Sequence, residues 1–424
     1  MALPSELSHP VSSLPSRTLP MNRNLPLLAL LTSLVTFPAC GGDSSSSQPE
    51  PPPTPDSGTD APPDASPEAS PNDADAQSPP AWSEPACSAV KGTWAVTFTK
   101  DDGATVAPGE GTLGGVAYTY GLAALDTPNV LLAEHSGRIL RSEDAGCTWT
   151  DLGAAPGVTT VLRPAKGGLA YGFSPNGSVL YRIDGTTILT LSAPTPSIMG
   201  VQADPSDGTH VRAGGNDGQL YDSPDRGNTF SAIGTPAPAG CAYVVAFDPS
   251  NLAHVLCGTA ESGTFVTTNS GATWTASEGD AQYTNTFSAA VSPADGNVVW
   301  IEGIQLGWHN GQQIGPEGRR IWRSTDGGLN FTVVLEEGTT TATLFNGNLL
   351  APHPVDTNLL YFTFGTPPLG GNGSESFLYR LDASTSEVVE HRQAGIDSYD
   401  ALVFSPANPS LIYLGKSAER PNTP

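Results

Sequence analysis

The chain has 424 residues, enough for one large or two ordinary domains. Its formal net charge is −24, with 18 Lys and Arg against 42 Asp and Glu, which argues against a nucleic-acid-binding protein because neutralising phosphates requires clustered cations. Only 14% of the residues are charged, whereas 47 Gly and 40 Pro favour many short strands and tight turns over helices.

The first 40 residues predict an export signal behind a short extension. Residues 1–20 are rich in Ser and Pro and fit poorly before such a signal, so we predict that translation starts at Met21. Within 21–40, Arg23 gives a basic start, and the apolar core from Leu25 to Val35 is too short to span a bilayer as a stable helix.

The end of this segment, Phe-Pro-Ala-Cys followed by Gly41, resembles the cleavage box of bacterial lipoprotein signal peptides. The resemblance implies a lipid on Cys40, which would anchor the mature protein to a membrane without spanning it. Because Gly41 is not an acidic inner-membrane retention residue, we expect the outer membrane, with display at the cell surface. An ordinary secretory signal, giving a secreted or periplasmic protein, is the alternative.

A stretch of low sequence complexity follows the signal. Residues 41–86 are dominated by Pro, Ser, Ala and Asp, and 43–85 contain nine acidic residues and no Lys or Arg. Such a composition cannot bury enough apolar surface to fold. We therefore predict a disordered acidic linker over 41–86, between the anchor and a folded domain at 87–424.

A short pattern, Ser-x-Asp-x-Gly-x-Thr-Trp at 142–149, recurs along the domain. It returns at 223–230, 267–274 and 324–331, and the third copy has Thr and Asn in place of Ser and Asp. The repeated positions are Ser142, Asp144, Gly146 and Trp149, then Ser223, Asp225, Gly227 and Phe230, then Asn269, Gly271 and Trp274, and finally Ser324, Asp326, Gly328 and Phe331.

The spacing of the copies predicts the fold. With weaker copies at Asp184 and Asp382 included, the equivalent Asp or Asn positions are 40 to 57 residues apart, as in a β-propeller with four short strands per blade. We predict an all-β single propeller of four-stranded antiparallel sheets, with seven blades or, in the alternative, six. A last unit begins at 399–415 with no copy after it, so the N-terminal segment 92–100 is expected to add an outer strand there and close the ring.

The copies are interpreted as structural turns. Their Ser and Asp side chains can accept hydrogen bonds from amides of the same turn, and their Gly tolerates a positive φ. A catalytic group would not recur in every blade. The pattern resembles the Asp-box (BNR) repeat of sialidases, sortilin-type receptors, photosystem assembly factors and some xyloglucan-cleaving enzymes. The resemblance covers residues 90–415 and implies the propeller fold without indicating one function.

Four cysteines remain after Cys40, and an even number in an exported protein favours disulfides. Cys241 and Cys257 flank a turn at 249–251 symmetrically, so in a hairpin they would face each other. This predicts a Cys241–Cys257 bridge and leaves Cys87 to pair with Cys147. Four free buried thiols are the alternative.

Two long connections, 303–320 and 365–376, offer a candidate binding site. They belong to adjacent blades and are expected to form one ridge on the face opposite the repeated turns, where binding loops on a rigid scaffold often lie. A flat aromatic with amides and arginines could grip a sugar or a peptide. The candidate ligand-binding residues are Trp308, His309, Asn310, Gln312, Gln313, Glu317, Arg319 and Arg320, with Tyr283, Glu278 and Asp280 nearby. A solvated insertion without a ligand is the alternative.

The favoured function is a lipid-anchored, monomeric, non-enzymatic module that binds a glycan or a protein outside the cytoplasm. No catalytic residues, cofactor or nucleic-acid partner are predicted. No metal site is predicted either, since the seven His show no metal-binding spacing. One alternative is a sialidase-like or xyloglucanase-like glycosidase, for which Glu261, Glu278 or Asp280 could supply carboxylates. The other alternative is an assembly factor like the photosystem propellers.

Overall fold

A computed structural model describes residues 81–110, 117–338, 349–363, 375–394 and 398–417, all within the second of two units, Ala76–Pro424. The predicted extension, signal peptide and lipidation site, and most of the linker, lie outside the described residues. The described part is all-β and contains no helix that could cross a membrane.

The strands form seven blades. β1 spans Val96–Thr99. Blade 1 contains β2 (Gly121–Ala124), β3 (Leu131–His135), β4 (Arg138–Ser142) and β5 (Thr150–Ala154). Blade 2 contains β6 (Val161–Ala165), β7 (Leu169–Phe173), β8 (Leu180–Asp184) and β9 (Thr187–Thr190). Blade 3 contains β10 (Ile198–Ala203), β11 (Val211–Gly215), β12 (Leu220–Ser223) and β13 (Ser231–Ile233). Blade 4 contains β14 (Val244–Asp248), β15 (Asn251–Gly258), β16 (Thr264–Thr267) and β17 (Thr275–Ala276).

The remaining blades complete the ring. Blade 5 contains β18 (Glu278–Gly279), β19 (Thr284–Val291), β20 (Val299–Gln305), β23 (Gly318–Ser324) and β24 (Asn330–Glu336). A separate hairpin is formed by β21 (Trp308–His309) and β22 (Gln312–Gln313). Blade 6 contains β25 (Leu350–Pro352), β26 (Leu359–Thr363), β27 (Glu375–Asp382) and β28 (Glu387–Ala394). Blade 7 contains β29 (Ser398–Phe404), β30 (Ile412–Ser417) and β1. The prediction of seven blades of antiparallel sheets is confirmed.

The hydrophobic core is divided among the interfaces between neighbouring blades. One such cluster packs Leu132 and Ile139 of blade 1 against Ala170 and Tyr181 of blade 2. Close approach of the blades requires small residues: a Cβ added at Gly200 would overlap the backbone carbonyl of Val245 in the next blade. Second strands such as β7 lie between the neighbouring blades and are buried on both faces. Outer strands such as β9 are largely exposed.

The repeated turns join the third and fourth strands through side-chain hydrogen bonds. In blade 1, Ser142 Oγ accepts from Gly146 N (2.9 Å) and donates to Asp144 Oδ1 (2.9 Å), which also accepts from Thr148 N (2.8 Å). Trp149 Nε1 donates to the carbonyl of Gly146 (3.1 Å). The same Ser–Asp–Gly bonds occur in the copies at 223–230 and 324–331, and Thr267 and Asn269 make them in the third copy.

A fifth copy of this turn lies where none was expected, in blade 7. Thr99 Oγ1 accepts from Gly103 N (2.8 Å) and donates to Asp101 Oδ1 (2.8 Å), which accepts from Thr105 N (2.9 Å). No copy follows 399–415 in the sequence, because the third strand of this blade comes from the N-terminal segment and is followed by the turn at 99–105. By contrast, the turn after Asp184 is a two-residue hairpin in which Asp184 pairs with Thr187.

The N-terminal strand β1 pairs antiparallel with β30, from Val96 opposite Gly415 to Thr99 opposite Ile412. It is the third strand of blade 7, and Ala107 N donates to Phe98 O beside it (2.9 Å). The N-terminal segment thus joins the last blade, as the sequence suggested, but as its third strand and not as its outer strand. Its contribution to closing the ring stays a prediction.

Arginines on the third strands join neighbouring blades. In the structure four of them reach sideways to the next blade. The contacts are Arg141 Nη1 to Gly185 O (3.1 Å), Arg182 Nη1 to Arg226 O (2.7 Å), Arg323 Nη2 to Thr357 O (3.1 Å) and Arg380 Nη1 to Asp102 Oδ2 (3.1 Å).

Both predicted disulfides, Cys87–Cys147 and Cys241–Cys257, are present. The symmetrical hairpin argument for the second was wrong, however. Cys257 lies opposite Val245, and Cys241 precedes β14 altogether. The backbone enters the blade through a loop that places Cys241 beside Cys257, so the bridge ties this loop to the second strand.

Candidate binding site

The first predicted loop, 303–320, is largely a β-hairpin that extends blade 5. β20 and β23 remain paired as far as Gln305 and Gly318, and β21 and β22 form a smaller hairpin beyond them. Its tip is Asn310-Gly311, with φ of 48° and 77°, as the common two-residue hairpin turn requires. We call residues 306–317 the arm. Since the arm joins the second and third strands, it lies on the face opposite the repeated turns.

Tyr283 lies at the base of the arm in a strained conformation. Its φ of 59° is rare for a bulky side chain, which indicates that the surroundings hold it in place. Leu306 N donates to its carbonyl (3.1 Å), and its ring lies 4.3 Å from that of His309. The Tyr283 side chain nevertheless remains 38% exposed, so this pair presents an aromatic surface.

A cleft of about 510 Å³ opens between the arm and the connection from blade 4. It combines an aromatic ring, aliphatic side chains, amides and charged groups, which is the mixture found in pockets that hold peptides or small molecules. The lining residues are Gly279, Asp280, Gln282, Tyr283, Gln305, Ile314, Gly315, Pro316, Arg320, Val333 and Glu336.

The charged groups of the cleft are partly neutralised. Arg320 Nε lies 2.9 Å from Glu336 Oε1 on the adjacent outer strand. Arg319 projects to the other side of the sheet, as alternation along a strand requires, and lies 3.3 Å from Glu337. Asp280 Oδ2 accepts from Val333 N (3.2 Å), so this carboxylate also helps to hold the edge of the sheet.

One buried polar atom at the cleft lacks a partner. Gln305 is only 8% exposed, and its Nε2 donates to the carbonyl of Gln282 (3.1 Å). Its Oε1 has no hydrogen-bond partner within the described part of the chain. A bound donor, such as a peptide N–H, would satisfy this oxygen.

The structure gathers some of the predicted residues and separates others. Tyr283 and Arg320 line the cleft, and His309 packs on Tyr283. Trp308 is 62% exposed on the arm and lies outside the cleft lining. The others are spread over the arm: Asn310 and Gln312 are exposed at its tip, Glu317 lies beside Gly307 at its base, and Arg319 faces Glu337.

The second predicted loop, 365–376, lies almost entirely outside the described residues, so the expected ridge of two loops stays a prediction. Sequence analysis also missed cleft residues on other segments. Gln305 ends β20, whereas Val333 and Glu336 lie on β24, the outer strand. The Asn-Gly pair at 310–311 was the available signal for Gln305, since it predicts a hairpin in which Gln305 lies opposite Gly318.

Comparison with known proteins identifies the chain's family. No protein-family model matches it. The dispase autolysis-inducing protein of Streptomyces mobaraensis is 47% identical over 346 residues, which cover 80% of this chain and 91% of that protein. The chain belongs to this family.

Solved structures share the fold. The GH74 xyloglucanase of Xanthomonas campestris superposes with a TM-score of 0.51 at 14% identity, covering 73% of this chain and 53% of the enzyme. This chain therefore spans about half the length of that enzyme. YCF48 of Cyanidioschyzon merolae has a TM-score of 0.49 at 12% identity, covering 72% of this chain and 97% of YCF48. The distant similarity to the xyloglucanase extends to the fold and no further.

The two disulfides bear on location. Disulfides form and persist in oxidising compartments outside the cytoplasm. The two bridges of this chain therefore indicate an extracytoplasmic location.

Proposed function

We propose that the chain is a non-enzymatic binding propeller whose arm and cleft engage a protein, and that this partner is a protease of the dispase type. The observation that carries the proposal is the exposed aromatic surface of the arm. Trp308 and His309 lie on the hairpin, and the strained Tyr283 packs on His309 at its base, beside a cleft with an unsatisfied acceptor. Large aromatic side chains on rigid supports are typical anchors of protein interfaces.

The family relative supports a protein partner over a glycan. By its name, the relative induces the autolysis of dispase. Autolysis is cleavage of a protease by itself, so an inducer needs no chemistry of its own. If the arm binds a locally opened segment of the protease, the open state becomes more populated, and a second protease molecule cuts it.

The proposal includes an anchor and a repeat type. A lipid on Cys40 would attach the mature protein to the outer membrane, and the acidic linker would separate the propeller from the lipid surface. We also assign the hydrogen-bonded turns at 99–105, 142–149, 223–230, 267–274 and 324–331 to the Asp-box type, because all five share the same bonds.

The test is incubation of the full chain with dispase while intact dispase is followed by gel electrophoresis. Wild-type protein is expected to accelerate the loss of intact dispase. The double variant Trp308→Ala/Tyr283→Ala should lose most of this effect. Val355→Ala is the matched control, since Val355 is 68% exposed but lies in the turn between the first two strands of blade 6, on the opposite face.

Two results would contradict the proposal. The first is that the double variant accelerates autolysis as well as wild type does, which would remove the arm from the interface. The second is that wild-type protein leaves dispase unchanged. Hydrolysis of xyloglucan or a sialoside by the purified chain would replace the non-enzymatic role with the glycosidase alternative.

A further inference from the structure

A second cavity lies in the central channel of the ring and shares no lining residue with the cleft. Its volume is about 550 Å³, within the range of small-molecule sites. The first strands of blades 2 to 6 form most of its wall, with Phe173 and Phe247 among the apolar side chains. Tyr243 and Phe287 form an edge-to-face pair with ring centroids 4.6 Å apart.

Arg163, in the middle of β6, is the charged residue of this wall. The described residues that line the cavity include no Asp, Glu, Lys or His, although the chain as a whole carries a net charge of −24. The neutral polar side chains of the wall are Asn176, Gln202, Tyr243 and Ser288. The channel is therefore locally positive in an acidic protein.

Arg163 also lacks the partners that the other arginines have. Its Nη1 donates to the carbonyl of Leu162, the preceding residue (3.2 Å), and it forms no ion pair with any residue in the described ranges. Each other arginine whose side chain is described contacts a carboxylate or a carbonyl of another segment. These arginines are 138, 141, 182, 212, 226, 319, 320, 323 and 380.

Arg163 is open to the cavity and available to a ligand. Its guanidinium stays charged in proteins. Because the described residues of the wall supply no carboxylate, an anion that enters the cavity would be the counter-charge of Arg163.

We propose that the central channel binds a small organic carboxylate with an apolar or aromatic body, held by Arg163. The planar guanidinium matches a carboxylate with two parallel hydrogen bonds. The phenyl rings and aliphatic side chains of the wall accommodate the body of the ligand, and the amide of Gln202 offers a further polar contact. This site is independent of the arm.

The experiment titrates the full chain with N-acetylphenylalanine and with its neutral amide, N-acetylphenylalaninamide, by calorimetry. Wild type should bind the acid at least about tenfold more tightly than the amide, as expected for a charge-assisted hydrogen-bonded pair. Arg163→Gln should remove this preference. Arg138→Gln should keep it, because Arg138 is half exposed and pairs with Asp151 at the surface.

Equal affinity of wild type for the acid and the amide overturns the proposal, and so does an Arg163→Gln variant that keeps the preference. Absence of binding by either compound also overturns it for this ligand class. Arg163→Lys provides a second test if the Gln variant does not fold. It keeps the charge but loses the two-point geometry, so the preference should shrink without disappearing.

Discussion

Two glutamates at the same position in different blades have different surroundings. In each blade, one residue of the second strand pairs with the first Ser of the repeated turn. Glu134 on β3 and Glu302 on β20 each lie three residues after that partner. The Glu134 carboxylate accepts from Gly137 N (2.6 Å) and Thr160 N (3.2 Å), and burial raises its pKa to about 7. Glu302 is 2% exposed, and neither of its oxygens has a partner among the described residues.

Burial raises the pKa of Glu302 well above its usual range, although the charge of Arg319 acts in the opposite direction. The folded state therefore holds a proton that the unfolded state releases near pH 4.3. The stability that protonated Glu302 contributes is therefore fully present below that pH. It is lost as the pH rises toward the pKa of Glu302 in the folded state.

Glu302→Gln should remove this pH-dependent loss. We expect the variant to gain stability over wild type as the pH rises from 5 to 8, by up to about 1.4 kcal/mol per pH unit while Glu302 stays protonated in the folded protein. Urea unfolding at several pH values measures the difference. Glu134→Gln is the comparison: its gain over wild type should stop growing near pH 7, where Glu134 ionises in the folded protein. Parallel pH profiles for wild type and Glu302→Gln would contradict the argument.

At the scale of the element, the repeated turn is a hydrogen-bonded unit that a few side chains build. The first hydroxyl is its buried part: Thr99 is 1% exposed and satisfies the buried Gly103 N–H. Thr105 makes bonds of similar length at the surface of the same turn. Because these bonds have similar lengths, we expect the bonds of Thr99 and Thr105 to contribute differently to the free energy of unfolding only through their burial.

Thr99→Val should cost about 1–3 kcal/mol of unfolding free energy, because it leaves a buried N–H without an acceptor while keeping the side-chain volume. Thr105→Val on the exposed side should cost less than about 1 kcal/mol. Urea denaturation of both variants gives the comparison. Similar small losses in the two would show that the turn in blade 7 does not stabilise the ring.

At the scale of the whole molecule, the first and last described strands pair in blade 7, and a disulfide lies on the N-terminal side of β1. Cys87 precedes β1, and Cys147 lies in the repeated turn of blade 1, so their bridge closes a loop of 60 residues that includes β1. The Cys241–Cys257 bridge closes a loop of only 16 residues within one blade. Restriction of the unfolded chain grows with the length of the closed loop.

Replacing Cys87 and Cys147 together by Ser should cost about 4 kcal/mol, against about 3 kcal/mol for Cys241 and Cys257 together. The order should be visible in thermal or urea unfolding of the two double variants, with wild type treated identically. A larger loss of unfolding free energy for the Cys241–Cys257 variant would contradict this order. It would mean that the folded contacts of the loop before β14 matter more than the entropy of the unfolded chain.

The sequence by itself determined what depends on neighbours along the chain. The recurring Ser-x-Asp-x-Gly-x-Thr pattern predicted the turns and a propeller of seven or six blades, because each turn is built by side chains within eight residues. The even number of cysteines led to the correct disulfides, although the hairpin register used for Cys241 was wrong.

The tertiary structure alone decided what depends on contacts between distant segments. Pairing of β1 with β30 joins residues more than 300 positions apart and revealed the turn at Thr99. The cleft joins the connection from blade 4 with the outer strand of blade 5, and Arg163 became a candidate site only when five blades surrounded it. Turn chemistry is local and leaves a repeated signal in the sequence, whereas the ring places side chains together through packing that no local pattern encodes.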